Sequence, residues 1–280
     1  MKRPKALPPI IRIAKYTLLD EARQKSFVIM FFICAIFIFL GRSCYQGNYI
    51  VNGQALDAGT VIWVVSKVIF HIIAVGVMIV TALLSMRVFR RDRNDGMQSC
   101  ILSKPVARWQ YVSGKIIGLW ALSIILMFIL HGIVFIITSI YSKVVMPEYL
   151  IASLLCFFNL LFVVVAVLLL SLLMPDIIAF LCVVGIGIVS FVTDGVFAIS
   201  KSSMAQAMIQ RPSSQSDLTW WKAVYYLWPK LSGTQQFASS FIVSEVSYRF
   251  GSIYPLINVL IYGSILGMLL FWRFRNEDII

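Results

Sequence analysis

The chain has 280 residues, 60% of them hydrophobic and 13% charged, with a net charge of +12 and a mean hydropathy of +0.90. That composition excludes a water-soluble globule. The positive charge does not mark a nucleic-acid binder, because most Lys and Arg residues flank apolar runs, where they orient a membrane protein.

Residues 1–26 form a basic leader with Lys2, Arg3, Lys5, Arg12, Lys15, Arg23 and Lys25. After Pro8-Pro9, residues Ile10, Ile11, Ile13, Ala14, Thr17, Leu18 and Ala22 recur at helical spacing, which predicts a helix lying in the membrane interface. Phe27–Leu40 is a first span. It is short against the ~20 residues a bilayer core needs, so it is extended to Tyr45 with Arg42 snorkelling outward. A cleaved signal peptide is the rival reading. The long leader containing Asp20 and Glu21, with no small-x-small site after the apolar run, favours a retained span.

Further spans are expected at about Val61–Met86, Ile116–Ile140, Leu150–Leu173, Ile177–Ile199 and Ile253–Trp272. The fold class is therefore an all-α polytopic membrane protein with six transmembrane helices, a cytoplasmic N-terminal interfacial helix and a cytoplasmic loop. The units are 1–26, spans 27–199 with a central loop at 87–115, an extracytoplasmic segment at 200–252, and 253–280. Sixteen Lys and Arg residues fall in the leader, the central loop and the tail. The short opposite loops and their borders hold only Arg42 and Lys143, which places both termini on the cytoplasmic side.

The central loop is the densest polar stretch. It holds Arg87, Arg90, Arg91, Arg93, Lys104, Arg108 and Lys115, offset only by Asp92 and Asp95. Asn94-Asp95-Gly96 can turn the chain. Met97–Ser103 can form a short helix, and Pro105 stops helical continuation. The 200–252 segment contains an aromatic run, Trp220 to Pro229, rich enough in Trp and Tyr to sit at the headgroup level.

Ionisable groups inside spans are functional candidates. Lys67 and His71 share a helix face, and with His131 and Asp194 they project to the outer third of the membrane, a possible substrate path. Snorkelling accounts for Lys67 and Asp194 as well. Asn159 and Asn258 read as interhelical hydrogen-bonders. The sequence has no phosphate-cradling loop, since Gly114-Lys115 is followed by Ile116, and no His-Glu-x-x-His zinc motif. The five cysteines show no pairing pattern and read as small apolar filler.

Gly96, Leu102-Ser103-Lys104-Pro105-Val106, Arg108, Tyr111 and Gly114-Lys115 run in the order of a loop found in ABC type-2 export permeases, and the chain resembles that family over nearly its whole length. Tyr226-Leu227-Trp228-Pro229 is similar to a segment that the family places before its last span. Met97 stands where Thr is usual, and only Asp92 and Asp95 replace the usual upstream glutamates. The resemblance implies a non-enzymatic permease subunit of an ATP-driven exporter in the inner membrane. It implies no cofactor in this chain, with ATP and Mg held by a separate ABC ATPase in two copies. It also implies a second permease subunit, with a homodimer as the expected form.

On that resemblance the ATPase-coupling loop comprises Asp92, Asp95, Gly96, Ile101, Leu102, Ser103, Lys104, Pro105 and Arg108, with Ile101 and Leu102 as an apolar anchor buried in a groove on the ATPase. One subset of the family serves maturation of a periplasmic copper enzyme, and the chain is similar to it in length. Membrane lipid and an extracytoplasmic protein on 200–252 are further partners to expect. A stand-alone channel or carrier, or a membrane scaffold, is the alternative.

Overall fold

A computed structural model describes residues 8–46, 50–51, 54–55, 58–103, 106–142, 147–200, 227–242 and 253–276. Lys104, Pro105 and most of the 200–252 segment lie outside these described residues. Eleven α-helices are described: α1 Pro9–Ala22, α2 Lys25–Gly41, α3 Ala58–Ser85, α4 Val88–Asn94, α5 Met97–Leu102, α6 Arg108–Ser142, α7 Glu148–Leu155, α8 Phe157–Leu173, α9 Asp176–Ser200, α10 Leu231–Ser240 and α11 Tyr254–Arg275. A two-residue antiparallel pairing, Ile50–Val51 with Gln54–Ala55, is the one strand element among them.

Among the described residues, five apolar stretches are long enough to cross a membrane alone: Gly59–Asn94, Arg108–Tyr141, Glu148–Leu173, Asp176–Val196 and Tyr254–Arg275. A sixth is the pair α1 and α2, bent by 66°. The 17 residues of α2 reach about 26 Å at 1.5 Å per residue, a little under the roughly 30 Å hydrocarbon core. The 3₁₀ turn Arg42–Gln46 then carries the chain on. An all-α polytopic membrane protein is the result.

The core is α8. From Leu160 to Leu169 it is buried on nearly every side, because α3, α6, α9 and α11 all pack around it. A helix that is apolar all round fits only such a central place. The peripheral helices keep lipid-type faces, with Ile29, Phe32 and Ile36 on α2 and Ile257, Ile261 and Ile265 on α11 exposed.

Two boundaries differ from the sequence reading. Hydropathy starts the third span at Ile116, but α6 begins at Arg108 and runs for 35 residues, or about 52 Å. Its first turns protrude beyond any hydrocarbon layer as a polar helical stalk. The Gln110 Oε1 accepts the Ala107 N–H at 3.1 Å and so helps cap that start. The loop stretch Val88–Asn94 is likewise helical, as α4. These features gather at one end, the basic end of the bundle.

Helix α1 lies against this stalk. A Cβ at Gly114 would come within 2.7 Å of the Ile13 side chain, and one at Gly118 within 2.7 Å of the Ala14 carbonyl oxygen. Glycine is required here for backbone approach. Ile13, Thr17 and Glu21 form the buried face of α1. Gly118→Val should lift α1 off at a cost of about 1–3 kcal/mol for overpacking. A cysteine at the buried Thr17 would then label quickly with a thiol reagent. Unchanged protection would show that α1 is held by something other than this contact.

Candidate functional site

The basic end is built on one left-handed residue. Asp95 ends α4, Gly96 takes φ 69°, ψ 4°, and α5 starts at Met97. The Asn-Asp-Gly turn expected from sequence is present. A Cβ on Gly96 would meet nothing within 4 Å, so the demand for glycine is one of backbone conformation. At the far end of α5, the Ser103 hydroxyl donates to the Cys100 carbonyl at 2.9 Å.

Beneath the turn lies a buried charge cluster. Asp92 is 2% exposed and Lys115 fully buried, with Lys115 Nζ 2.5 Å from Asp92 Oδ2. The Tyr111 hydroxyl donates to the same oxygen at 2.6 Å. The Lys115 ammonium also sits 5.6 Å and 5.8 Å from the ring centres of Tyr16 and Tyr111, within cation–π range. Helices α1, α4 and α6 therefore meet on a single ion pair.

Three further contacts tie the loop to its surroundings. Arg91 donates to Glu21 Oε1 at 2.7 Å and also pairs with Asp20, both on α1. Burial pushes the Glu21 carboxyl up to about 7, against the downward pull of Arg91. Arg90 reaches Asp176, in the first turn of α9, at 3.3 Å. Arg108 donates to the Arg275 carbonyl at 2.7 Å, at the end of α11. An aromatic stack of Phe89, Tyr111 and Phe274, with centroids 5.4–6.2 Å apart, fills the space between.

The expected loop residues thus divide into two sets. Asp92 and Arg108 hold the end of the bundle together, whereas Asp95 and Ser103 face outward with Ser99 and Cys100. Ile101 is half-buried and packs against the cluster of Val88, Phe89, Tyr111 and Val112. Asp20 and Glu21 were not singled out from sequence as site residues. Their signal was available, as the one acidic pair in a basic leader facing an arginine-rich loop.

The in-span polar residues fall into separate places. His131 is fully buried, hydrogen-bonded through Nδ1 to the Ser153 hydroxyl at 2.9 Å and stacked on Phe70 at 4.6 Å. Lys67 is half-buried, and His71 lies beside Gln235 of α10. Asp194 does not meet these groups. It pairs with Lys230 at 2.9 Å, so that α10 stands between Asp194 and His71. Asn159 and Asn258 bond across helices as expected, and both clip the chain around Lys230 and Leu231. The Trp228 indole donates to the Ile186 carbonyl, midway along the Asp176–Val196 stretch. Trp228 is thus at mid-bundle depth rather than at the headgroup level, because its N–H finds a helix carbonyl there.

A multi-span apolar bundle with a short helix slung from a glycine turn at its basic end is the class of membrane protein these observations define. The chain belongs to the ABC-2 family of transporter proteins, whose family model matches residues 11–278. That range takes in every described helix from the first turn of α1 to the end of α11. The family implies association with an ATP-binding-cassette ATPase. No curated protein matches the chain.

Proposed function

We propose that the chain is the permease subunit of an ATP-driven exporter in the inner membrane, with both termini and the basic end cytoplasmic. Two such subunits, as a homodimer, work with two copies of a separate ATPase that holds ATP and Mg, and this chain carries no cofactor of its own. The observation that carries the reading is the Asp92–Lys115–Tyr111 cluster. It fastens the α4–α5 turn to α1 and to the stalk of α6, so a push on α5 reaches α6 and the bundle without being absorbed in a loose loop. The outward residues Asp95, Ser99, Cys100 and Ser103 are the ATPase-facing surface. Gly96 sets its angle, Arg108 braces α11, and Ile101 anchors α5 to the permease itself. Leu102, Lys104 and Pro105 complete the coupling loop, and the basic groups hold it at the anionic inner surface.

The test is recovery of the ATPase on a tagged permease. Ser99→Trp with Cys100→Trp places two large groups on the outward face without touching the buried cluster, and recovery should fall at least tenfold while membrane insertion is unchanged. Full recovery with normal ATP-dependent transport would sink the assignment of this face. Orientation is read separately. In a cysteine-free background, cysteines at Asp95 and Asn276 should label only from the cytoplasmic side, and one at Asp57 only from outside. Outside labelling at Asp95 would overturn the topology.

The same reading extends to a substrate path along α10: Lys67 and His71 belong to α3 and Asp194 to α9, two helices that pack against α10, and His131 stacks on Phe70. A polar segment enclosed by spans is where a polar substrate exchanges its water for protein groups.

A further inference from the structure

Helix α10 is attached to the bundle mainly through polar groups. Its buried face is mostly polar, with Ser232, Thr234, Gln235 and Ser239 enclosed beside Leu231 and Ala238. It packs against α3, α7, α9 and α11. The chain enters it from Trp228 at mid-bundle depth, so residues 227–240 re-enter the membrane region rather than lying across its surface.

The segment is held by polar clips. The Lys230 N–H donates to Asn258 Oδ1 at 3.0 Å. Asn159 Nδ2 donates to the Leu231 carbonyl at 2.9 Å, the Ser232 N–H to the Ser190 hydroxyl at 3.2 Å, and the Trp228 indole to the Ile186 carbonyl at 3.1 Å. One clip carries full charges. Lys230 Nζ donates to Asp194 Oδ1 at 2.9 Å, with side-chain exposures of 1% and 4%. The second carboxylate oxygen of Asp194 has no hydrogen-bond partner among the described residues. It faces Gly233, where a Cβ would lie 3.6 Å from it and 3.1 Å from Pro255.

The energetics of these attachments differ. Apolar contacts lose their burial outright when a helix leaves the spans for water. A buried ion pair is nearly balanced, because its attraction is offset by the water both charges gave up. Leaving for water therefore changes its free energy little, and the orphaned Asp194 oxygen recovers a solvation it lacks inside. A polar helix held by polar clips and one charge pair is a movable part seated among fixed ones.

We propose that the Asp194–Lys230 pair is a latch that positions residues 227–240 as the outer closure of the transport path, and that the path opens when the pair separates and the segment moves toward water. The role as outer closure rests on the exporter reading, whereas the latch itself does not.

The experiment uses the full-length permease in complex with its ATPase in nanodiscs, where both faces are open to reagent, with the five native cysteines of this chain replaced. A cysteine at the buried Ser239 reports whether α10 is seated. It should be protected from a membrane-impermeant maleimide without nucleotide. Asp194→Asn, nearly equal in volume but uncharged, should speed labelling about tenfold or more. Exchanging the two charges, Asp194→Lys with Lys230→Asp, should restore protection.

A second variant separates a latch from a merely structural pair. Asp194→Leu with Lys230→Met replaces the pair by apolar contact that does not favour water. It should keep Ser239→Cys protected and ATPase recovery intact, yet remove the nucleotide-dependent exposure that the parent pair permits. Unchanged labelling in Asp194→Asn, or full nucleotide-dependent exposure in the apolar pair, would overturn the latch. A wrong orientation would appear instead at Asp95, with these results untouched.

Discussion

Replacing Asp92 with alanine is expected to be the most damaging single change at the basic end. It leaves the Lys115 ammonium buried without its counter-charge and the Tyr111 hydroxyl without its acceptor. Removing one partner of a buried pair costs about 3–5 kcal/mol. Thermal unfolding of the purified permease should shift down accordingly, and ATPase recovery should fall with it, because α1, α4 and α6 lose their common contact. The sharper test is the triple change Asp92→Leu, Tyr111→Phe and Lys115→Met, which makes the site apolar throughout. It should regain most of the lost stability. If Asp92→Ala unfolds at the parent temperature, the cluster is not what joins the turn to the bundle.

The second large effect concerns Gly96, and here stability and coupling should separate. Its φ of 69° costs an ordinary L-residue roughly 1–2 kcal/mol, more for a β-branched side chain, while Asn is better tolerated. Because a Cβ at this position would find no atom within 4 Å, steric contact contributes nothing. Gly96→Val should therefore re-aim α5 and lower ATP-dependent transport several-fold, with insertion and the unfolding temperature close to the parent. Gly96→Asn should retain most of the activity. Equal transport by the two variants would mean that the turn's angle is not transmitted.

Much of the architecture can be read from residues because membrane spans obey a length rule that sequence exposes directly. The runs at Leu150–Leu173 and Ile177–Ile199 lie within two residues of the observed helical limits at every end. Hydropathy gives no sign of the break at Cys156, where α7 stops and α8 begins, because both sides of it are equally apolar. The turn at Gly96 was legible, since Asn-Asp-Gly favours the left-handed region. The start of α6 was not, because hydropathy marks where a helix enters lipid and not where it begins.

The site was legible only in part. Asp92, Gly96 and Arg108 stand out by sequence order, but their division into a clasp and an outward face depends on which way each helix turns. Lys230 carried no signal as the partner of Asp194. It counted as one more charge in a long segment, and pairing between distant elements leaves no periodic trace. Trp228 misled for a related reason, since an indole suits the interface and an interior carbonyl equally well.

The close approach of α1 to Gly114 and Gly118 also sets an order of events during synthesis. Helix α1 leaves the ribosome first, but the surface it docks on is made about a hundred residues later, roughly 5–20 s at ordinary translation speeds. Through that interval Ile13 and Thr17 have no protein to cover them. The nascent helix must rest its apolar side on lipid, with Arg12, Lys15 and Arg23 near the headgroups, and then exchange lipid for the glycine face of the stalk. Its amphipathic pattern is thus used twice, first against the bilayer and then against the finished protein.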